Sequence, residues 1–290
     1  MNLTDSWVLR LVLGLAAGAA VAGLAYRRQS LSGSGALAAA AMGAAYFTLG
    51  GPVWFGVLLA FFGSSTAWSR YKRKHRAKRT AEKNYAKSGR RDALQVLANG
   101  GLGLLLCGAH ALWPHGGWLA AFAGVMAAVN ADTWATELGA LSRMTPRALI
   151  GGKRVPAGTS GGVTLLGSAA ALAGALFIGI VAAILAGCWP VSASFGQDSG
   201  TGALGAQAVW LVPIAAAAGF FGCFADSLLG ATVQAMYRCR VCEAQTERVV
   251  HCARPTAKTR GWRWVTNDAV NFIAAAAAGL LALGLGYGLR

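Results

Sequence analysis

Long apolar runs, separated by short polar or basic stretches, set the pattern of this chain. The first extends from Trp7 to Tyr26 and stops at Arg27 and Arg28. The next, residues 36–68, is too long for one crossing. Gly50-Gly51-Pro52 divides it into two, because proline breaks a helix interior and glycine punctuates it. Further runs cover about 93–112, 118–136, 161–187, 206–236 and 268–289. Most reach the roughly 18–20 residues a helix needs to cross about 30 Å of hydrocarbon. The pattern predicts an all-α, polytopic transmembrane helical bundle of about eight spans. Two long polar interruptions stand out, a basic loop at 70–91 and a Cys- and His-bearing loop at 237–266.

Composition supports that reading. The 290 residues are 56% hydrophobic and 12% charged, where soluble domains carry about 25% charged residues. The 40 glycines suit helices that pack through small residues, and Gly14 and Gly18 form one GxxxG pair.

Charge adds direction. Of the 26 Lys and Arg residues, 24 fall in four segments, 27–35, 70–91, 137–158 and 237–266. Alternation across eight spans puts all four on one side, which the positive-inside rule makes cytoplasmic. The expectation is a multi-pass protein of a bacterial cytoplasmic membrane with both termini on the outer side. The net charge of +16 does not point to nucleic acid, since no basic groove interleaved with aromatics and no nucleic-acid module is visible. Basic residues such as Lys72, Lys74 and Lys78 serve as orientation signals, or reach phosphates at the membrane face.

Polar residues cluster where spans meet these basic loops. Asn130, Asp132, Thr133, Thr136 and Glu137 close the run that starts near Trp118. Asp92, Gln95 and Asn99 open another, and Asp268 and Asn271 open the last. Asp226, Gly230 and Gln234 recur every four residues, on one helical face. Carboxylates at membrane depth are costly unless partnered and mark function. We expect these segments to converge. Clustered carboxylates and amides match the hard oxygen ligands Mg²⁺ prefers, with phosphates completing its shell. Asp132 and Asp226, inside spans, are the candidate Mg²⁺ ligands, whereas helix capping competes for Asp92 and Asp268.

A glycine-rich stretch supplies a candidate phosphate cradle. Lys153 and Arg154 precede Gly158, Thr159, Ser160, Gly161 and Gly162, with Thr159 or Ser160 placed to cap the next span. Separately, Cys239-x2-Cys242 followed by His251-Cys252 resembles a small zinc knuckle, so Zn²⁺ is a candidate structural metal. Buried free thiols and redox chemistry remain the competing readings there. Cys107, Cys188 and Cys223 read as packing residues.

RDALQVLANGG (91–101), NADTWATELG (130–139), GTSGGVTLLG (158–167), DSLLGATVQ (226–234), the Cys/His cluster and GWRWVTNDAVNF (261–272) occur in order. Together they resemble a multispan membrane family that includes the plant chloroplast phytyl-phosphate kinase and a vertebrate transmembrane protein of obscure role. The resemblance covers residues 35–290 and leaves 1–34 as an N-terminal anchor span with its turn. It implies phosphoryl transfer from a nucleoside triphosphate, CTP first, to an isoprenoid monophosphate. It also implies that Asp92, Asn99, Asp132, Thr133, Glu137, Ser160, Asp226, Gln234, Asp268 and Asn271 belong to the site. The function expected is an integral membrane prenyl-phosphate kinase. The alternatives are a transporter of a small solute or ion, and a non-catalytic scaffold.

Overall fold

The structure, a computed structural model, describes residues 7–71, 90–189, 191 and 208–288. Lys72, Lys74 and Lys78 lie outside the described residues. Among the described residues are seven long helices: α1 Trp7–Arg27, α2 Gly33–Tyr71, α3 Ala93–Leu112, α4 Gly116–Gly139, α5 Leu165–Cys188, α6 Leu211–Thr232 and α7 Asn267–Gly288.

α2 is not straight. Gly51 takes φ 65° and ψ −157°, with Pro52 directly after it. Met42 and Leu58 both lie against Gly100, though a straight helix would hold them about 24 Å apart. The Phe47 and Phe55 rings meet edge-on with centroids 5.5 Å apart. Arms 33–50 and 52–71 therefore fold back on each other, and the glycine–proline break expected from the sequence is the hinge.

Among the described residues six helices qualify as membrane spans by length and apolarity, against about eight expected. The coarser expectation, an all-α polytopic membrane bundle, holds. α2 is counted once although it has two arms. α4 falls out because Asn130 and Asp132 dilute its hydropathy. Its burial explains how it tolerates them. Leu119 through Ala131 are buried without a gap, so protein rather than lipid surrounds this helix.

Small residues permit the close packing around α4. A Cβ on Gly219 would sit 2.7 Å from the Ala127 side chain and 2.8 Å from that of Ala175. One on Gly222 would lie 2.5 Å from Ala128. Gly14 and Gly18 do the same for α1, where added Cβ atoms would meet the carbonyls of Ala44 and Ala40 at 2.8 and 2.6 Å. Lipid tails leave helices little hydrophobic reason to associate, so such backbone proximity carries much of the cohesion.

Tracing the helices back and forth gives the bundle two unlike ends. Segments 28–32, 90–92, 140–164 and 233–266 gather at one. There the Ser32 N–H donates to the Arg91 carbonyl at 3.0 Å, and Arg70 Nη2 to the Arg28 carbonyl at 2.7 Å. The opposite end holds the α2 hinge, the α3–α4 turn and the outer tips of α1 and α7, with His115 stacked on Tyr287.

Short strands crown the loop-rich end, which apolar periodicity did not foretell. β1 (Arg147–Ala148) pairs antiparallel with β2 (Gly162–Val163). β3 (Met236–Arg238) lies between β4 (Gln245–Thr246) and β7 (Ala257–Arg260). β5 (Val250–His251) pairs with β6 (Arg254–Pro255).

Candidate functional site

A cavity of about 1020 Å³ opens at the loop-rich end. α4 contributes Asp132, Thr133 and Glu137, and α3 contributes Asn99 beside Gln95. Asp226 enters from α6, Asp268 and Asn271 from the first turns of α7. The glycine-rich loop supplies Gly158, Thr159, Ser160, Gly161 and Gly162, and Gln234 closes the ring. Thus segments separated by up to about 170 residues in sequence line one volume.

Hydrogen bonds tie these segments across the cavity. Ser160 Oγ and Gln234 Oε1 are 2.9 Å apart, with the hydroxyl donating. Gln234 Nε2 donates in turn to Glu247 Oε1 at 2.9 Å. With its amide nitrogen turned toward α6, Asn271 donates to Asp226 Oδ2 at 2.7 Å. Ser69 Oγ donates to Glu137 Oε1 at 2.5 Å. The Thr133 hydroxyl bonds back to the Val129 carbonyl at 2.9 Å.

Arg91 is a cation at this rim, as is Arg263. Burial disfavours the charged form of Arg91, and the neighbouring Glu137 carboxylate opposes that effect. Its guanidinium also lies 5.7 Å from the Phe62 ring centroid, within cation–π range.

The carboxylates of Asp132 and Asp226 act on each other electrostatically, and Glu247 acts on both. Three anionic groups sharing a partly closed space repel one another unless protons or a cation compensate.

Several expectations need correcting. Asp92 does not line the cavity; it caps α3. Its side chain accepts from the Gln95 N–H at 2.9 Å while Gln95 Oε1 accepts from the Asp92 N–H, a reciprocal capping box. Lys153 and Arg154 are exposed and absent from the lining, because β1 and the turn at Gly151–Gly152 carry them outward. Neither Thr159 nor Ser160 caps the next helix. Thr164 does, its hydroxyl accepting from the Gly167 N–H at 3.0 Å. α6 ends at Thr232, so Gln234 lies past the helix and reaches the cavity from a connecting segment. The Cys/His cluster sits in the adjoining hairpins, outside the cavity lining.

Within that cluster the ligand-type atoms of Cys239, Cys242, His251 and Cys252 all lie within 4.8 Å of one another. Hydrogen bonds from the backbone N–H groups of Cys242 and Val241 bring the Cys239 thiol down to about 6. Contact with Cys242, and then burial, push Cys252 up to about 11.

Comparison with known proteins shows a family. The integral membrane protein family DUF92 matches residues 16–279. The chain belongs to the DUF92 family. Protein PGR of Arabidopsis thaliana is 30% identical over 281 residues, covering 91% of this chain and 92% of its own length. An uncharacterized membrane protein of Methanocaldococcus jannaschii is 31% identical over 141 residues, 49% of this chain and 50% of its own. No solved structure matches.

This DUF92 cavity also contains residues that motif reading passed over. Glu247 lies in a loop whose most visible residues are its cysteines. Ser69 and Arg91 flank a basic stretch read as an orientation signal, and Tyr237 and Arg263 sit among other loop residues. Nothing local in the sequence singles out Glu247; the other acid of segment 237–266, Glu243, pairs with Arg238 at 2.9 Å.

Proposed function

We propose that this DUF92 protein is an integral membrane phosphotransferase, a prenyl-phosphate kinase that uses a nucleoside triphosphate, CTP first, with Mg²⁺. The observation that carries the reading is the convergence of Asp132, Asp226 and Glu247 with the Gly158–Gly162 loop in one cavity. Hard carboxylate oxygens suit Mg²⁺, which also retains waters and substrate phosphate oxygens. Gly158 and Gly161 take left-handed conformations, φ 82° and 80°. Two N–H groups hold the loop itself together, Thr159 donating to the Pro156 carbonyl at 3.2 Å and Gly162 to the Thr159 carbonyl at 3.0 Å, so an anion would be bound by the N–H groups between them and the Ser160 hydroxyl. Gly161 has a second constraint, since a Cβ there would lie 2.5 Å from the Ala231 side chain.

In the reaction, an oxygen of the prenyl monophosphate attacks the γ-phosphorus in line. The bond to the β–γ bridging oxygen breaks, and nucleoside diphosphate leaves with those electrons. Because the attacking monophosphate is already anionic, the site needs no strong base. It must position two polyanions and neutralise their charge. Asp132, Asp226 and Glu247 would hold the metal, the 158–162 loop would hold phosphate, and Arg91 would offer positive charge at the rim. The volume, about 1020 Å³, is at the upper end for small-molecule sites and suits two phosphate-bearing substrates.

In this reading the loop-rich end faces the cytoplasm, the two arms of α2 and α4 each cross, and both termini lie outside. Zn²⁺ has no part in the chemistry. A transporter reading is less favoured because polar groups thin out toward the opposite end. Asn130, one turn deeper than Thr133, is buried against Ser64 Oγ at 3.0 Å and the Gly174 carbonyl at 2.8 Å. Beyond it the side chains of Met126, Phe122 and Trp54 are fully buried.

The test is purified protein incubated with CTP or ATP and a panel of isoprenyl monophosphates, with product diphosphate measured. Mg²⁺-dependent diphosphate formation is expected. Nucleotide-independent solute flux in proteoliposomes, with no diphosphate from any pair, would overturn the kinase reading.

A further inference from the structure

We propose that Cys239, Cys242, His251 and Cys252 bind one structural Zn²⁺, and that this metal joins two hairpins so that the segment between them presents Glu247 to the cavity. The role given to Glu247 rests on the functional reading above; the metal site does not.

The distances are those of a tetrahedral site. Zn–S bonds of about 2.3 Å and Zn–N bonds of about 2.0–2.1 Å require S···S edges of roughly 3.8 Å and S···N edges of roughly 3.5 Å. Cys252 Sγ and Cys242 Sγ are 3.8 Å apart. His251 Nδ1 is 3.5 Å from Cys242 Sγ and 3.3 Å from Cys252 Sγ. Cys239 completes the set, no more than 4.8 Å from the other three.

The backbone is arranged to aim these atoms. The Cys239–Cys242 loop joins β3 to β4, and the Val241 N–H donates to Cys239 Sγ at 3.4 Å. The Cys239 N–H bonds to the Ala244 carbonyl at 2.9 Å, and the Glu243 N–H returns to the Cys239 carbonyl at 3.1 Å. Across from it, the turn between β5 and β6 consists of Cys252 and Ala253, both left-handed at φ 50° and 58°. Hairpin turns with two left-handed residues strongly favour Asn-Gly or Asp-Gly. Cysteine and alanine each carry a Cβ penalty there. A bond from Cys252 Sγ to a metal would hold that conformation in place.

Only a few residues separate the two hairpins, and they include Glu247 and Val249, both lining the cavity. Thr256 pins this connection, its N–H donating to the Val249 carbonyl at 3.0 Å and its hydroxyl to the Arg248 carbonyl at 2.8 Å. The four ligands flank the connection on both sides, so one ion would fix the separation of its ends. Metal and protons compete for the thiols, which makes affinity fall as pH falls.

The full-length protein, purified in a non-thiol reductant without chelator, should carry about one zinc per chain by elemental analysis. Replacement by Co²⁺ should give the charge-transfer band of thiolate ligation with the d–d bands of tetrahedral cobalt. Cys239→Ser and His251→Ala should lose most of the metal, whereas Cys188→Ser and Glu247→Gln should keep it. Stripping wild type with a strong chelator should expose three newly reactive thiols while helix content is retained, a readout independent of whether the variants fold. Trace zinc and no cobalt spectrum in wild type would overturn the proposal, as would a Cys242–Cys252 disulfide in protein handled anaerobically. Zinc present with unaltered prenyl-phosphate kinase activity in Glu247→Gln would leave the metal site standing and remove the role of Glu247.

Discussion

The two ends of this bundle use the same helices for opposite purposes. At the loop-rich end, polar side chains from α3, α4, α6, α7 and three loops face one volume and bond across it, as Ser160, Gln234 and Glu247 do. At the other end contacts are mainly aromatic. Trp54 stacks on Phe122 with centroids 4.5 Å apart and lies 5.4 Å from His110, and Tyr46 sits 5.7 Å from Phe122. Tyr46 spends its hydroxyl locally, on the Gly100 carbonyl at 2.9 Å. One end is packed for cohesion, while the other keeps space among groups that would be better apart. α4 belongs to both, apolar where it meets Trp54 and acidic one side of Asn130.

Substitutions at the two ends should therefore fail in different measurements. The largest effect is expected for Asp132→Asn and Asp226→Asn. Each should lower Mg²⁺-dependent phosphoryl transfer by about 10³-fold or more, roughly 4 kcal/mol of transition-state stabilisation. Both should fold, and relief of carboxylate repulsion should leave thermal stability equal or higher. Wild-type turnover in either would remove that residue from the metal site. Trp54→Ala inverts the pattern. Loss of packing should cost about 3 kcal/mol of stability, seen in the thermal midpoint in detergent, with KM unchanged below that temperature. Glu247→Gln comes next, with an expected loss of about 10–100-fold in kcat/KM, roughly 1.4–2.8 kcal/mol. The Gln234 contact survives amide substitution, so the deficit should deepen as Mg²⁺ is lowered. A deficit independent of Mg²⁺ would assign Glu247 to positioning alone.

Much of this division could be read from the sequence, because membrane depth makes each acid conspicuous. Asp132 and Asp226 stood out against apolar runs, and both line the cavity. Gly51 and Pro52 marked the α2 hinge. What stayed hidden depended on residues whose meaning is not local. The helix stop at Thr232 left no mark in the apolar pattern, so Gln234 was assigned to a helix it lies beyond. Glu247 reaches the cavity only because two hairpins turn the chain back, and strands of two or three residues show no periodicity. Lys153 and Arg154 erred the other way: charge beside glycines suggested a phosphate clamp, but an exposed β turn points them outward. Span counting differs for a related reason: the sequence counts 118–136 as a span, whereas α4, enclosed by protein, is not among the helices long and apolar enough to qualify.

Asp92 gives the finest discrimination, and the smallest effect. It lies in the motif that the family resemblance assigned to the site, at the loop-rich end, three residues from the cavity-lining Gln95. Position alone groups it with Asp268, which opens a helix and does line the cavity. The capping box separates the two. Asp92 Oδ1 satisfies the Gln95 N–H, and the Gln95 side chain satisfies the Asp92 N–H, so the pair closes two amide donors that would otherwise be orphaned at the start of α3. Asp92→Ala should cost about 1 kcal/mol of stability and change kcat/KM by less than about 3-fold, under 0.7 kcal/mol. Asp92→Ser, which restores a capping oxygen without a charge, should recover most of the stability. Asp268→Ala, measured alongside, should impair turnover more than folding. Should Asp92→Ser restore stability yet leave turnover far below wild type, the carboxylate charge itself would be needed, and Asp92 would rejoin the acids of the cavity.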